Sequence, residues 1–304
     1  MKISDAQLST RFWLSASAWL AMLVISELPD ILWKTIAHRI PEWLVLAKLG
    51  FLILFFMGCR LWRALRPLRS YALVLMVFQA ALILSGQLES AAGWRSFWDH
   101  TASSFTLTYL PVFIRDCGVM LVVLGVLWWL KGHRRAFYLV EGEPGAPIEP
   151  VRWLGIKPGE SWRVFGWIFA LAAAAVVMIP TVAGAGLTAG IWLRTMVFLP
   201  AALLFAAVNA FNEEIYFRLS LLATLPEAIG RRQALLINVV FFGLAHYLYG
   251  SPPGAIGFVM TAFLAWLLGK SILETNGLLW AWFIHFLPDV VIFLSYATAW
   301  VQRS

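Results

Sequence analysis

Charged residues are scarce in this chain. Asp, Glu, Lys and Arg make up 13% of its 304 residues, and hydrophobic residues make up 61%, whereas soluble domains contain about 25% charged and about 45–50% apolar residues. A soluble domain of this length could not bury so many apolar side chains, but a bundle of helices of about 20 residues can expose its outer faces to lipid. The composition therefore predicts an all-α, polytopic membrane protein.

Cysteine is also scarce, and only Cys59 and Cys117 are present. Both lie inside or beside apolar segments, so they support neither a disulfide framework nor a metal site with cysteine ligands. The formal charge of +7 does not indicate a nucleic-acid partner, because the basic residues cluster between apolar segments. There they are typical of signals that set the orientation of membrane helices.

The long apolar stretches predict about nine transmembrane helices. The first is expected to be a retained helix rather than a cleaved signal peptide, because no pattern of small residues typical of a cleavage site accompanies it. The nine stretches are 12–28, 42–59, 70–88, 110–130, 163–183, 192–224, 233–249, 255–270 and 277–300.

A polar interval rich in proline and glycine divides these stretches. We expect an N-terminal membrane module of about four helices at 1–135, a polar cytoplasmic linker at 136–162, and a second module of about five helices at 163–304. Basic clusters alternate with uncharged loops along the chain. This alternation predicts a cytoplasmic N-terminus, a cytoplasmic turn at 226–232 and a C-terminus on the outer side.

The sixth stretch carries ionisable side chains where lipid is expected. Glu213 and Glu214 are adjacent, and Arg218 follows them, although a charged side chain costs about 2.5–3.5 kcal/mol at the bilayer centre. Because helix positions four apart share a face, Glu214 is expected to pair with Arg218 and Asn209 to lie over Glu213. Glu213 is then the acid without a cation of its own, which suits a general base.

Two later stretches each carry a histidine. His246 follows Phe242 by four positions, and His285 precedes Asp289 by four. A helix rise of about 1.5 Å per residue puts Glu213, His246 and His285 roughly 20, 24 and 14 Å from the cytoplasmic ends of their helices. These depths are compatible with a single site if the helices tilt or start unevenly.

The three patterns together resemble the motifs of a known peptidase family. Glu213-Glu214-x-x-x-Arg218, Phe242-x-x-x-His246 and His285-x-x-x-Asp289, in this order on successive apolar stretches, are similar to those of the CAAX-protease and bacteriocin-processing (CPBP, Abi) family. The resemblance covers about 150–304 and implies that 163–304 is a CAAX-protease-like catalytic core. It implies an intramembrane endopeptidase of a bacterial plasma membrane, acting on a membrane-associated protein or peptide.

The resemblance also implies a role for each motif residue. Glu213 and His246 would activate a water molecule, His285 with Asp289 would stabilise the oxyanion, and Glu214 with Arg218 would hold the shape of the site.

Asp289 departs from the best-studied branch of the family, which has Asn at this position. An ionised Asp cannot donate a hydrogen bond to an oxyanion. Asp289 would therefore be protonated, orient His285 or bind a metal.

Other interpretations of these residues stay open. Glu214 and Arg218 could form a purely structural ion pair, and His246 could be a packing residue. No cofactor is expected, but two imidazoles and a carboxylate could also bind zinc with an open position for water. Arg115 and Asp116, near the start of the fourth stretch, are explained more simply by the outer interface than by a substrate path.

Two other functions would also use a membrane bundle of this kind. A proton-coupled transporter uses intramembrane acids, although the chain shows no inverted repeat. A non-catalytic immunity or scaffold protein would bind membrane partners without hydrolysis.

Overall fold

The fold is described by a computed structural model over residues 5–101, 104–184, 188–250 and 252–303. These residues form helices and short turns, with two isolated β-bridges, Pro147 to Ser161 and Val151 to Ile156, and no longer strand pairing. The predicted all-α class is therefore confirmed. An N-terminal set of helices precedes a second set that contains the motif residues.

The first set of helices ends at Lys131. It comprises α1 (Asp5–Ile25), α2 (Leu28–Ala37), α3 (Trp43–Leu61), α4 (Arg69–Ser90), α5 (Ala92–Thr101) and α6 (Phe105–Lys131).

The second set begins at Trp162 and includes one π-helical segment. It comprises α7 (Trp162–Gly184), α8 (Ala189–Met196), α9 (Leu199–Glu213), the π segment (Glu214–Leu219), α10 (Ser220–Leu222), α11 (Pro226–Ile229), α12 (Arg231–Ala245), α13 (Ala255–Thr275) and α14 (Leu279–Arg303).

In the described part of the chain, six helices are long and apolar enough to cross a membrane. Two bent pairs raise the number to eight: Arg11–Ile25 with Leu28–Ala37, bent by 50°, and Ala189–Met196 with Leu199–Ile229, bent by 62°. The expected bundle of about nine helices is close to this number. The protein is thus a multi-pass membrane protein.

The number of candidate spans, up to eight, falls short of the expected nine because α12 is not among them. The apolar stretch predicted a helix over 233–249, but α12 covers 15 residues, Arg231–Ala245. That length rises about 22 Å, less than the hydrocarbon core of about 30 Å. His246 is therefore the residue that ends α12 rather than one inside a full span.

Close helix contacts position the motif residues. α14 packs against both α7 and α9, and α12 packs against α13. Small side chains occupy these interfaces and allow the backbones to approach closely, as is usual between membrane helices. They include Ala170 of α7, Ala202 and Ala206 of α9, and Ala281 and Ala297 of α14, all with no exposed surface.

The polar segment between α6 and α7 is hydrogen-bonded to the turn between α13 and α14. The backbone amide of Glu143 donates to the carbonyl oxygen of Thr275 at 2.8 Å. The backbone amide of Leu278 donates to the carbonyl oxygen of Val140, also at 2.8 Å. Gly277 lies against this segment so closely that a Cβ atom there would be 2.3 Å from the carbonyl oxygen of Glu141. The contact anchors the chain at the start of α14, which carries His285.

This close approach predicts a penalty for the smallest added side chain. Gly277→Ala is expected to lower the free energy of unfolding by about 1–3 kcal/mol, the usual cost of overpacking, measured by thermal unfolding in detergent. Gly145→Ala is the control, because its added Cβ would meet only Arg163 Nη2 at 3.8 Å. Equal melting temperatures for the two variants would contradict the prediction.

Candidate functional site

The acidic pair lies where α9 changes into a π helix. Glu213 is the last residue of α9, and Glu214 begins the π segment, a widened helical turn that is frequent at functional sites. Arg218 Nη1 lies 3.1 Å from Glu214 Oε1, and neither side chain is exposed. Asn209 Nδ2 donates to Glu213 Oε1 at 3.2 Å. Both contacts expected from the four-residue spacing are confirmed.

His285 of α14 lies beside both residues of the acidic pair. Its Nδ1 atom lies 2.8 Å from Glu214 Oε1, and its Nε2 atom lies 3.5 Å from Glu213 Oε2. On the same helix, Asp289 Oδ1 lies 3.9 Å from His285 Nε2, and Asp289 Oδ2 accepts a hydrogen bond from Asn209 Nδ2 at 3.0 Å. The structure thus brings six polar side chains of α9, the π segment and α14 into one cluster: Asn209, Glu213, Glu214, Arg218, His285 and Asp289.

The members of this cluster differ in exposure. Glu213 keeps 22% of its side chain exposed, whereas Glu214 has none, and His285 and Asp289 have 5% and 8%. Glu213 Oε2 is itself buried and has no hydrogen-bond partner among the described residues. Glu213 is thus the most exposed of the three acids, although its Oε2 atom is buried.

Phe242 connects the cluster to α12. The guanidinium carbon of Arg218 lies 3.8 Å from the centre of the Phe242 ring, a cation–π arrangement. None of the Arg218 nitrogens makes a hydrogen bond within the described part of the chain. The negative charges of the nearby acids, Glu214 above all, and the ring face therefore stabilise this buried cation. The Phe242 ring also contacts the rings of His246 at 4.3 Å and His285 at 5.9 Å, measured between centres.

His246 lies beside the cluster rather than in direct contact with its acids. It is half-buried at the end of α12, and its Nδ1 atom is 3.0 Å from the carbonyl oxygen of Phe242. Because that carbonyl can only accept, Nδ1 is the donor, and Nε2 takes no part in this hydrogen bond. No hydrogen bond or ion pair joins His246 to a carboxylate in the described ranges.

The N-terminal helices also contribute to the surroundings of the site. The hydroxyl of Tyr216, in the π segment, donates to the carbonyl of Asp116 in α6, and Asn212 Nδ2 lies 3.8 Å from Cys117 Sγ. Arg115 binds Asp116 at 2.8 Å. Arg115 and Asp116 were expected only at the outer interface, although two adjacent charged side chains within an apolar helix are a signal of contact with other polar groups.

A comparison with models of protein families gives a match that includes every residue of this cluster. A family model described as type II CAAX prenyl endopeptidase Rce1-like matches residues 194–291, from the end of α8 to the first half of α14. Residues 194–291 are similar to the Rce1-like family. This Rce1-like segment contains all seven residues of the three motifs and is narrower than the 150–304 expected from the motifs.

The Rce1-like segment indicates a peptidase of the CAAX endopeptidase type, within a multi-pass membrane protein. A peptidase in this setting acts on membrane-associated proteins or peptides. No curated protein and no solved structure matches the chain. Helices α1 to α7 lie outside the matched segment.

Metal ligation was a second possibility for these side chains. Within the described ranges, no group of three or more His, Cys, Asp or Glu residues is arranged to hold a metal ion. His285 directs Nδ1 to Glu214 instead, and His246 directs Nδ1 to a backbone carbonyl. Zinc binding therefore stays a prediction, to be tested by direct measurement of the metal content.

Proposed function

We propose that this protein hydrolyses a peptide bond of a membrane-associated protein or peptide, with Glu213 as the general base. One observation carries the proposal: Glu213 Oε2 is a buried carboxylate oxygen without a hydrogen-bond partner among the described residues, 3.5 Å from His285 Nε2. Glu213 Oε1 is already held by Asn209. A carboxylate with one oxygen anchored and the other free is suited to accept a proton from water.

In the proposed reaction, Glu213 and His246 together activate the attacking water. Glu213 Oε2 takes one proton, the water hydrogen-bonds to the free Nε2 atom of His246, and the oxygen attacks the carbonyl carbon of the scissile bond. Substrate binding would bring this water between the two side chains, since catalytic contacts are often longer before substrate binds. When the carbon–nitrogen bond of the intermediate breaks, Glu213 returns its proton to the leaving nitrogen, which gives a new carboxylic acid and a new amine. Transfer of the acid's remaining proton to the amine then gives the carboxylate and the ammonium group.

The oxyanion of the tetrahedral intermediate is assigned to His285. With protons on both ring nitrogens, the imidazolium donates from Nδ1 to Glu214 and offers Nε2–H to the oxyanion. Asp289 would orient this ring, because its Oδ1 atom lies 3.9 Å from Nε2. Arg218 would keep the Glu214 carboxylate charged by direct pairing in a dry interior.

The test is a mass-spectrometric census of membrane-protein termini in cells with and without this protein. New carboxyl and amino ends that appear only when the protein is present would establish proteolysis and identify the substrate, including whether it is prenylated. Identical sets of ends under conditions where the protein is needed would contradict the proposal.

Metal dependence can be tested on the purified protein. We expect chelation by EDTA and 1,10-phenanthroline to leave cleavage of a peptide spanning the identified site unchanged within about twofold, because a carboxylate base needs no metal-bound water. Metal content by mass spectrometry is measured on the same samples. One zinc per chain, with activity lost on its removal and restored by zinc, would replace the proposed mechanism with a metal-assisted one.

A further inference from the structure

Asn209 makes two contacts with acids from two different helices. Its Nδ2 atom lies 3.2 Å from Glu213 Oε1 and 3.0 Å from Asp289 Oδ2. A side-chain amide nitrogen carries two hydrogens, so it can donate one to each carboxylate at the same time. Asn209 is half-buried and lies one helical turn before Glu213 on α9.

His285 faces the other oxygen of each of the same two acids. Its Nε2 atom is 3.5 Å from Glu213 Oε2 and 3.9 Å from Asp289 Oδ1. Each carboxylate therefore presents one oxygen to the amide and the other to the imidazole. Asn209, Glu213, His285 and Asp289 form a closed ring of side chains across the α9–α14 interface, which we call the four-residue ring.

The ring brings together two acids that repel each other when both are ionised. An amide is a neutral donor that can stabilise both carboxylates without neutralising either of them. It also limits the rotation of each carboxylate, because one oxygen of each is occupied. Glu213 Oε2 and Asp289 Oδ1 are left pointing to the same nitrogen of His285.

We propose that Asn209 is a positioning residue that aims Glu213 and Asp289 at His285 by bridging the two carboxylates. The inference rests on the proposed function, because Glu213 is the base in that reaction. Asn209 lies outside the three motifs that predicted the site, and its own contacts assign it this role. Asp289 could be protonated, orient His285 or bind a metal. The bridging contact from Asn209 favours the second role, the orientation of His285.

Asn209→Leu tests the proposal because leucine has a similar size and no donor. We expect kcat to fall by about 10- to 100-fold, the range produced when a catalytic group is misplaced by about 1 Å, with KM within about twofold. The assay is the cleavage of a fluorogenic peptide spanning the identified site, in dodecylmaltoside micelles. Gln233→Leu is the matched control, because Gln233 accepts a helix-to-helix hydrogen bond from Trp19 at 3.0 Å and should keep native kcat.

A swapped variant separates positioning from helix packing. Asn209→Asp combined with Asp289→Asn keeps one amide and one carboxylate across the α9–α14 contact but leaves Glu213 without its donor. We expect kcat to stay low, because the carboxylate introduced at position 209 faces Glu213 Oε1 with no donor between them, and the same repulsion should keep the melting temperature below the native value. Recovery of kcat together with stability would show that Asn209 serves only the helix contact and would overturn the proposal.

The remaining outcomes are also decisive. If Asn209→Leu does not fold, the swapped variant carries the same comparison. Native kcat in Asn209→Leu, with Glu213→Gln inactive, would overturn the role of Asn209 and leave the proposed function intact. Native kcat in Glu213→Gln would overturn both.

Discussion

Replacing Glu213 with Gln is expected to reduce peptide-bond hydrolysis by about 10²- to 10⁴-fold, the usual contribution of a general base. Glutamine has the same shape, and its amide oxygen can still accept the hydrogen bond from Asn209, but it cannot take a proton from water. We therefore expect the variant to fold and to keep the native melting temperature. The measurement is the census of membrane-protein termini at matched protein abundance, followed by kcat on the identified peptide.

Glu42→Gln is the matched control for this experiment. Glu42 is an exposed acid next to α3 and is not a member of the polar cluster, so the change removes one negative charge outside the site and should leave all new termini in place. If Glu213→Gln produced the same termini as the native protein, the peptidase proposal would fail. Uptake into proteoliposomes driven by a proton gradient would then favour a transporter, and partner capture unaffected by Glu213→Gln would favour a scaffold.

Arg218→Met is expected to lower the free energy of unfolding by about 3–5 kcal/mol, because it removes the cation beside a buried carboxylate. Glu214 has no exposed side-chain surface, and its Oε2 atom has no hydrogen-bond partner among the described residues. Without Arg218, the negative charge would be left in a site of low dielectric. Chemical or thermal unfolding in detergent, monitored by circular dichroism, measures the loss.

Two further variants isolate the cause of that loss. Glu214→Gln combined with Arg218→Met removes both charges, and we expect it to be more stable than Arg218→Met alone because no unpaired charge stays buried. Arg232→Met, at an exposed position of α12, should change stability by no more than about 0.5 kcal/mol. A stable Arg218→Met protein would contradict a structural role for the ion pair.

Local spacing was sufficient to predict the contacts within one helix. Glu214 with Arg218, and Asn209 with Glu213, were expected because helix positions four apart are neighbours, and both contacts are present. The π segment was not predicted, because a single widened turn depends on what packs around it and leaves no clear pattern in the apolar residues. The two i,i+4 contacts are compatible with that widening.

The sequence did not predict which individual side chains of different helices contact each other. Asn209 and Asp289 are 80 positions apart, and Asn212 and Cys117 are 95 positions apart. Whether such side chains meet depends on the rotation and tilt of each helix, which are set by packing against its neighbours. The motifs indicated that Glu213 and His285 share a site, but the bridging amide of Asn209 became evident only from the α9–α14 interface.

The sequence by itself determined the membrane setting and the all-α class, and it predicted the residues that we propose to carry the chemistry. Those properties follow from composition and short spacings, because lipid requires every backbone polar group to be satisfied within a helix. The tertiary structure decided that α12 ends at His246, that α6 contacts the π segment, and that Asn209 joins two acids. These features arise where separate helices pack together, and their geometry depends on many weak contacts that no local segment of the chain encodes.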